Sequence, residues 1–193
     1  MVDVATEIMD AAEQRMRAGG LNGFSFREIA VDVGVKSSSV HYHFPTKEKL
    51  AAAVIHRYTD EVSELFEREL KEGVDLRSIF TTAFRGTLSE NGMCPCIVLA
   101  ASALDLPEEV AAEVKRFFKM SLDKLVEAGL TANAAAEFLS TISGAMLIAN
   151  VLDDAAIYDR ATTTQKRLSN GSAKKRPSRA LSKPTATRRK RRV

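Results

Sequence analysis

The chain has no tryptophan, two cysteines and three histidines among 193 residues, and each shortage closes off a class of function. Cys94 and Cys96 are separated by a single proline, so they cannot supply a disulfide framework. A Cys-x-Cys pair alone is also too little for a zinc site. His41, His43 and His56 fall in no metal-ligand pattern, and no metal or other cofactor is expected. There is no glycine-rich phosphate loop and no Ser-His-Asp set, so no enzyme is expected. No charge-free apolar run of about 18 residues appears, which argues against a membrane-spanning helix. The start, MVDVATEIMDAAEQ, carries acids early and lacks the basic-then-apolar order of an export signal. A cytoplasmic protein with no membrane partner is the expectation.

What is present is unevenly spread. Of the 28 Lys and Arg, twelve lie within 166–193, a segment without acids, so 16 face 25 acidic residues elsewhere and the body carries a net charge of −9. From Gln165 the composition turns to Ser, Thr, Pro, Ala, Lys and Arg without apolar periodicity. Such a segment buries too little surface to offset its ordering entropy, so 166–193 is expected to be a disordered basic tail.

The most informative stretch is Phe24 to Leu50, FSFREIAVDVGVKSSSVHYHFPTKEKL. Ser25 followed by Glu28 makes a capping box. Ile29, Ala30 and Val33 give a short apolar helix face, Gly34 suits a left-handed helix end, and Val35 anchors the turn. A second short helix, about Ser37 to Phe44, turns Val40 and Phe44 inward. Ala30, Gly34 and Val40 are a small residue at a helix crossing, a permissive turn and a branched lock, in the order a helix-turn-helix needs. The free face then carries Ser37, Ser38, Ser39, His41, Tyr42 and His43, groups suited to base edges and phosphates. Lys47 and Lys49 sit at a helix start, where the dipole disfavours them and a nearby phosphate explains them. With Arg27 and Lys36 they form a local basic cluster.

These residues resemble the amino-terminal domain of the TetR family of helix-turn-helix regulators. Ser25, Arg27, Ile29, Ala30, Gly34, Val35, Tyr42, His43, Phe44, Lys47, Glu48 and Leu50 occupy the family's positions over about residues 3 to 55. Two positions depart from the pattern: His41 stands where the family commonly has Tyr, and Lys36 where Ser or Glu is common. The resemblance implies an all-α protein of about nine helices: a head on 1–45 that binds double-stranded DNA at a palindromic operator, and a ligand-binding, dimerising body on 46–165. It also implies a homodimer and repression relieved by a small molecule.

The pattern beyond the head is helical throughout. Helices are expected at about 3–18, 46–72, 76–90, from Pro95, from Asp105 to near Gly129 with a capping box at Asp105 and Glu108, from Thr131 to Leu152, and at 154–164. The helix after Thr131 is apolar almost all round and has small Ser140, Ser143 and Gly144, which points to burial against a second subunit. Phe80, Phe84, Cys94, Cys96, Phe117, Met120, Phe138 and Met146 are the candidate lining of a pocket for a small apolar or electrophilic effector. A thiol at a helix start is also a candidate for oxidants. The rival reading is an architectural, sequence-tolerant DNA binder that relies on the basic tail.

Overall fold

The computed structural model describes residues 3–89 and 92–171. Among these it holds nine α-helices and no strand: α1 Val4–Gly19, α2 Phe26–Val33, α3 Ser37–His43, α4 Lys47–Lys71, α5 Leu76–Ser89, α6 Pro95–Ala100, α7 Glu108–Glu127, α8 Ala132–Val151 and α9 Ala155–Gly171. Short 3₁₀ turns cover Gly20–Gly23 and Ala103–Asp105. The all-α expectation holds. The tail beyond residue 171 lies outside the described residues.

The head is α1 to α3 closed against the start of α4. Ile8, Ala12 and Met16 of α1 are fully buried, as are Leu50, Ala51, Val54 and Ile55 of α4, and α1 packs on α2, α3 and α4. Ser25 caps α2: its hydroxyl accepts from the Glu28 amide at 3.3 Å and donates to the Glu28 carboxylate at 2.8 Å. That hydrogen bond, with Arg15 close by, holds the Glu28 carboxyl below its ordinary range. Gly34 takes φ 75°, ψ 28°, and the Val35 amide donates back to the Ala30 carbonyl at 2.9 Å. Only a residue without Cβ takes that conformation freely, which is why the turn falls there. Thr46 then starts α4 by accepting from the Lys49 amide at 3.2 Å.

α4 runs 25 residues from head to body, where α7 lies along it. The body core is aromatic. The Phe66 and Phe80 rings sit 4.3 Å apart, Phe80 meets Phe138 edge-on at 6.1 Å, and Tyr58 lies 5.7 Å from Phe117. α8 and α9 pack together, and both cover α5. The Tyr158 hydroxyl donates to the Thr81 carbonyl at 3.1 Å and Arg85 pairs with Asp159 at 2.8 Å, joining α9 to α5.

Two expectations change. Asp105 does not cap α7: it lies in the 3₁₀ turn, and α7 begins after Pro107. Leu106, held extended at φ −74°, ψ 139°, shows why, because a residue before proline is kept out of the helical region. α9 extends to Gly171 rather than ending near 164. α8 is buried on one side only. Phe138, Ile142, Ala145, Met146 and Ala149 face the core, while Leu147, Ile148, Val151 and Leu152 are exposed at 39, 53, 79 and 61%. With Glu137 as its single charge, α8 is also the one described helix long and apolar enough, by length and composition alone, to cross a membrane.

Phe80 contacts three other aromatic rings with no exposed surface, so Phe80→Ala leaves a void no neighbour can fill. The expected loss of stability is about 3–5 kcal/mol, read from the urea unfolding midpoint at unchanged slope.

Candidate nucleic-acid interface

α3 has seven residues. One side is held by Val40, fully buried, and by Phe44 packed against the core. The rest is outside. Ser38, His41 and Tyr42 are exposed, Ser37, Ser39 and His43 are half-buried, and Tyr42 is 84% accessible. A large aromatic side chain left that open on a packed helix has no structural duty. The His41 ring stands edge-on to Phe26 at 4.7 Å, and Tyr42 stands edge-on to His43 at 5.2 Å. These contacts set the directions of the rings before any partner arrives. α3 begins at Lys36 without a side-chain cap, so its first amides are left for another acceptor.

The basic residues surround this face in different ways. Arg27 and Lys36 are exposed on α2 and in the turn. The Lys47 ammonium lies 4.8 Å from the centre of the Phe24 ring, an arrangement that holds the cation at the head surface. Lys49 leans towards Glu109 of α7 at 3.9 Å. Ser25 is committed to its cap. The structure therefore brings Lys36, Ser37 to Ser39, His41, Tyr42 and His43 together on one element, with Lys47 beside them and Lys49 turned towards the body.

The pocket candidates lie elsewhere in the molecule. Phe80, Phe84, Phe117, Phe138 and Met146 are buried in the core, Met120 is half-buried against it, and Cys94 and Cys96 have no exposed surface. Two of the described cavities open on the far side of α7. One of about 470 Å³ is lined by Ala100, Ala103, Leu106, Ala111, Val114, Phe118 and Leu122, with Lys115, Lys119 and Asp123 at its edge. A second, of about 260 Å³, shares Phe118 and Leu122 and reaches Ala136, Leu139, Ser140 and Ser143 of α8. The sequence carried the signal: Ala111, Val114, Phe118 and Leu122 fall at helical spacing on a second stripe of α7, beside the stripe of Val110, Phe117 and Leu125 that enters the core.

A second cluster joins head to body. The Arg17 guanidinium sits 5.3 Å over the Tyr58 ring and donates to the Met93 carbonyl at 3.1 Å. It also pairs with Glu13 at 2.7 Å, and Glu13 is held by Arg57 at 3.1 Å. Cys94 lies against Tyr58 and Cys96. Burial alone would raise its pKa, but donation from the Cys96 thiol and the Tyr58 hydroxyl outweighs this and brings it down to about 7. Cys96 and Tyr58 are pushed up, chiefly by burial and then by their neighbour Cys94. Arg17 and Tyr58 were not singled out in the sequence, since nothing local relates positions 17, 58 and 94.

Comparison with known proteins agrees with this geometry. The family model described as bacterial regulatory proteins, tetR family, matches residues 8–54. The HTH-type transcriptional repressor KstR2 of Rhodococcus jostii (strain RHA1) is 26% identical over 83 residues, 41% of each chain. A TetR-family transcriptional regulator from Agrobacterium tumefaciens is 29% identical, with a TM-score of 0.77 over 85% of this chain and 96% of that one. A TetR transcriptional regulator from Legionella pneumophila is 25% identical, with a TM-score of 0.80 over 87% and 98%. A matched head, a nine-helix fold and an outward α3 in the expected place make one conclusion: residues 8–54 form a tetR-family helix-turn-helix head, and the described chain has the fold of TetR-family transcriptional regulators.

Proposed function

We propose that the protein is a homodimeric repressor that holds a palindromic operator through α3 and releases it when a small effector binds the body. The observation that carries this reading is the face of α3, where Tyr42 is 84% exposed beside serines, histidines and lysines that present polar groups to solvent. Side chains of that kind reach base edges and phosphates in a major groove. Two such heads, set roughly 34–36 Å apart, enter successive grooves on one side of the duplex.

The outer face of α8 supports the dimer. Gly144, Leu147, Ile148 and Val151 recur at helical spacing, and the last three are exposed. An apolar stripe of this kind is what an isologous interface buries. Ala145 points the other way, into the chain's own core. The effector reading rests on the cavities beside α7, because α7 packs along α4 and α4 starts in the head. A ligand there changes DNA affinity by its preference for one head spacing over the other.

Tyr42→Ala is expected to weaken binding to the selected operator by about 1–3 kcal/mol, and Lys47→Ala to weaken all duplexes alike and reduce the salt slope by about one. Fluorescence anisotropy across a salt series reads both. Operator affinity unchanged in the folded double variant sinks the α3 assignment. Ile148→Arg places a charge on the outer stripe and is expected to give a folded monomer by sedimentation, with operator affinity lost alongside. A wild-type chain that sediments as a monomer at micromolar concentration refutes the dimer.

A further inference from the structure

We propose that Cys94 and Cys96 are a thiol–disulfide switch at the junction of head and body, oxidised by small hydroperoxides and coupled to release from DNA. The coupling to DNA rests on the regulator reading above. The two thiols flank Pro95 at the start of α6 and are wholly buried. Cys96 and the Tyr58 hydroxyl hold the Cys94 pKa down, and the Arg17 guanidinium lies 5.3 Å over the Tyr58 ring and donates to the Met93 carbonyl beside Cys94 at 3.1 Å. These donors stabilise negative charge on one sulfur, while its neighbour keeps its proton. The pair thus divides into a nucleophile with a thiolate-range pKa of about 7 and a resolving thiol.

The chemistry balances with one co-reactant, a hydroperoxide. The Cys94 thiolate attacks the peroxide oxygen, the O–O bond breaks, and sulfenic acid forms while the leaving alkoxide or hydroxide takes up the proton that the thiol gave to solvent and departs as alcohol or water. The Cys96 sulfur then attacks Cys94, its proton leaves with the departing hydroxyl as water, and the S–S bond closes. Two thiols lose two electrons and the peroxide gains them. Burial decides the reagent. Complete burial favours a molecule of a few heavy atoms over a bulky thiol or disulfide. It also favours closure with the adjacent sulfur over capture by an outside thiol.

The position gives the reaction an effect. Arg17 of α1 donates to the carbonyl of Met93, the residue before Cys94, and Arg17 is tied through Glu13 to Arg57 of α4. α6 packs on α1 and on the Gly20–Gly23 turn. Gly20, at φ 61°, lies so close to Val98 of α6 that an added Cβ would touch its methyl at 3.4 Å. Closing the disulfide removes the Cys96 donor and draws the first turn of α6 towards Cys94. That shifts the carbonyl to which Arg17 is fastened, and with it the setting of α1 in the head.

The test uses the full chain with hydrogen peroxide, and a duplex that the reduced protein selects from a random pool. Peroxide in modest excess is expected to remove about 2 Da, the two thiol hydrogens, and to weaken duplex binding at least about tenfold, both reversed by dithiothreitol. The oxidation rate is expected to rise with pH and level off above about 7, and a bulky maleimide should leave the folded protein unlabelled. Cys94→Ser and Cys96→Ser are expected to bind the duplex as the reduced protein does and to ignore peroxide. Should either fail to fold, Tyr58→Phe, which keeps the ring and removes the donor, is expected to slow oxidation at pH 7 by about fivefold for one unit of thiol pKa. No mass loss on treatment overturns the switch, as does disulfide formation without change in binding. A reduced protein that selects no duplex overturns the regulator reading and the DNA half of this proposal, while the mass loss still decides the dithiol chemistry.

Discussion

One guanidinium fixes α1 of the head to the long helix that leads into the body. Arg57, halfway along α4 and only 20% exposed, places its two terminal nitrogens 2.7 Å from Asp10 and 3.1 Å from Glu13, both on α1. Its Nε is buried with no hydrogen-bond partner, and Glu61 lies 3.6 Å away. Burial alone would lower the Arg57 pKa, but hydrogen bonds to Glu13 and Asp10 outweigh it and raise it. A charge in that position is tolerated only while its carboxylates stay in place. α1 and α4 therefore move together, and what tilts α4 tilts α3 as well.

The body presses on the same helix from the other side through polar contacts. Arg116 of α7 pairs with Asp60 at 2.8 Å and donates to the His56 carbonyl at 2.6 Å, His56 reaches Glu113 at 3.1 Å, and Lys124 pairs with Glu67 at 3.0 Å. These surface pairs add little stability each, but they fix register along the α4–α7 seam. Apolar packing such as Tyr58 on Phe117 lies beneath them.

The head was legible because its signals are local. Ser25 and Glu28, Gly34, and the inward Val40 each act within a turn of chain, and each stands where the sequence put it. The α7 start was misplaced because the capping pattern at Asp105 competed with Pro107, whose effect on Leu106 prevailed. The one-sided burial of α8 was hidden by its composition, since a helix that is apolar all round reads the same whether its second face meets its own chain or another. The Arg17–Tyr58–Cys94 cluster was invisible for a different reason. Its members come from α1, α4 and the turn before α6, and only the packing of three helices brings them together. The stripe of Ala111, Val114, Phe118 and Leu122 was readable but lay in the shadow of the aromatic core.

The division of labour within α3 has an evolutionary consequence. Seven residues are roughly two turns, too few to be helical alone, so the helix exists because Val40 and Phe44 are anchored. Ser38 and Tyr42 contribute almost nothing to that anchorage. Substitutions there are nearly free of folding cost, and the helix keeps its place whatever side chains it presents. A duplicated copy of this gene is thus free to drift towards a new target while its core, its joint and its partner surface stay unchanged.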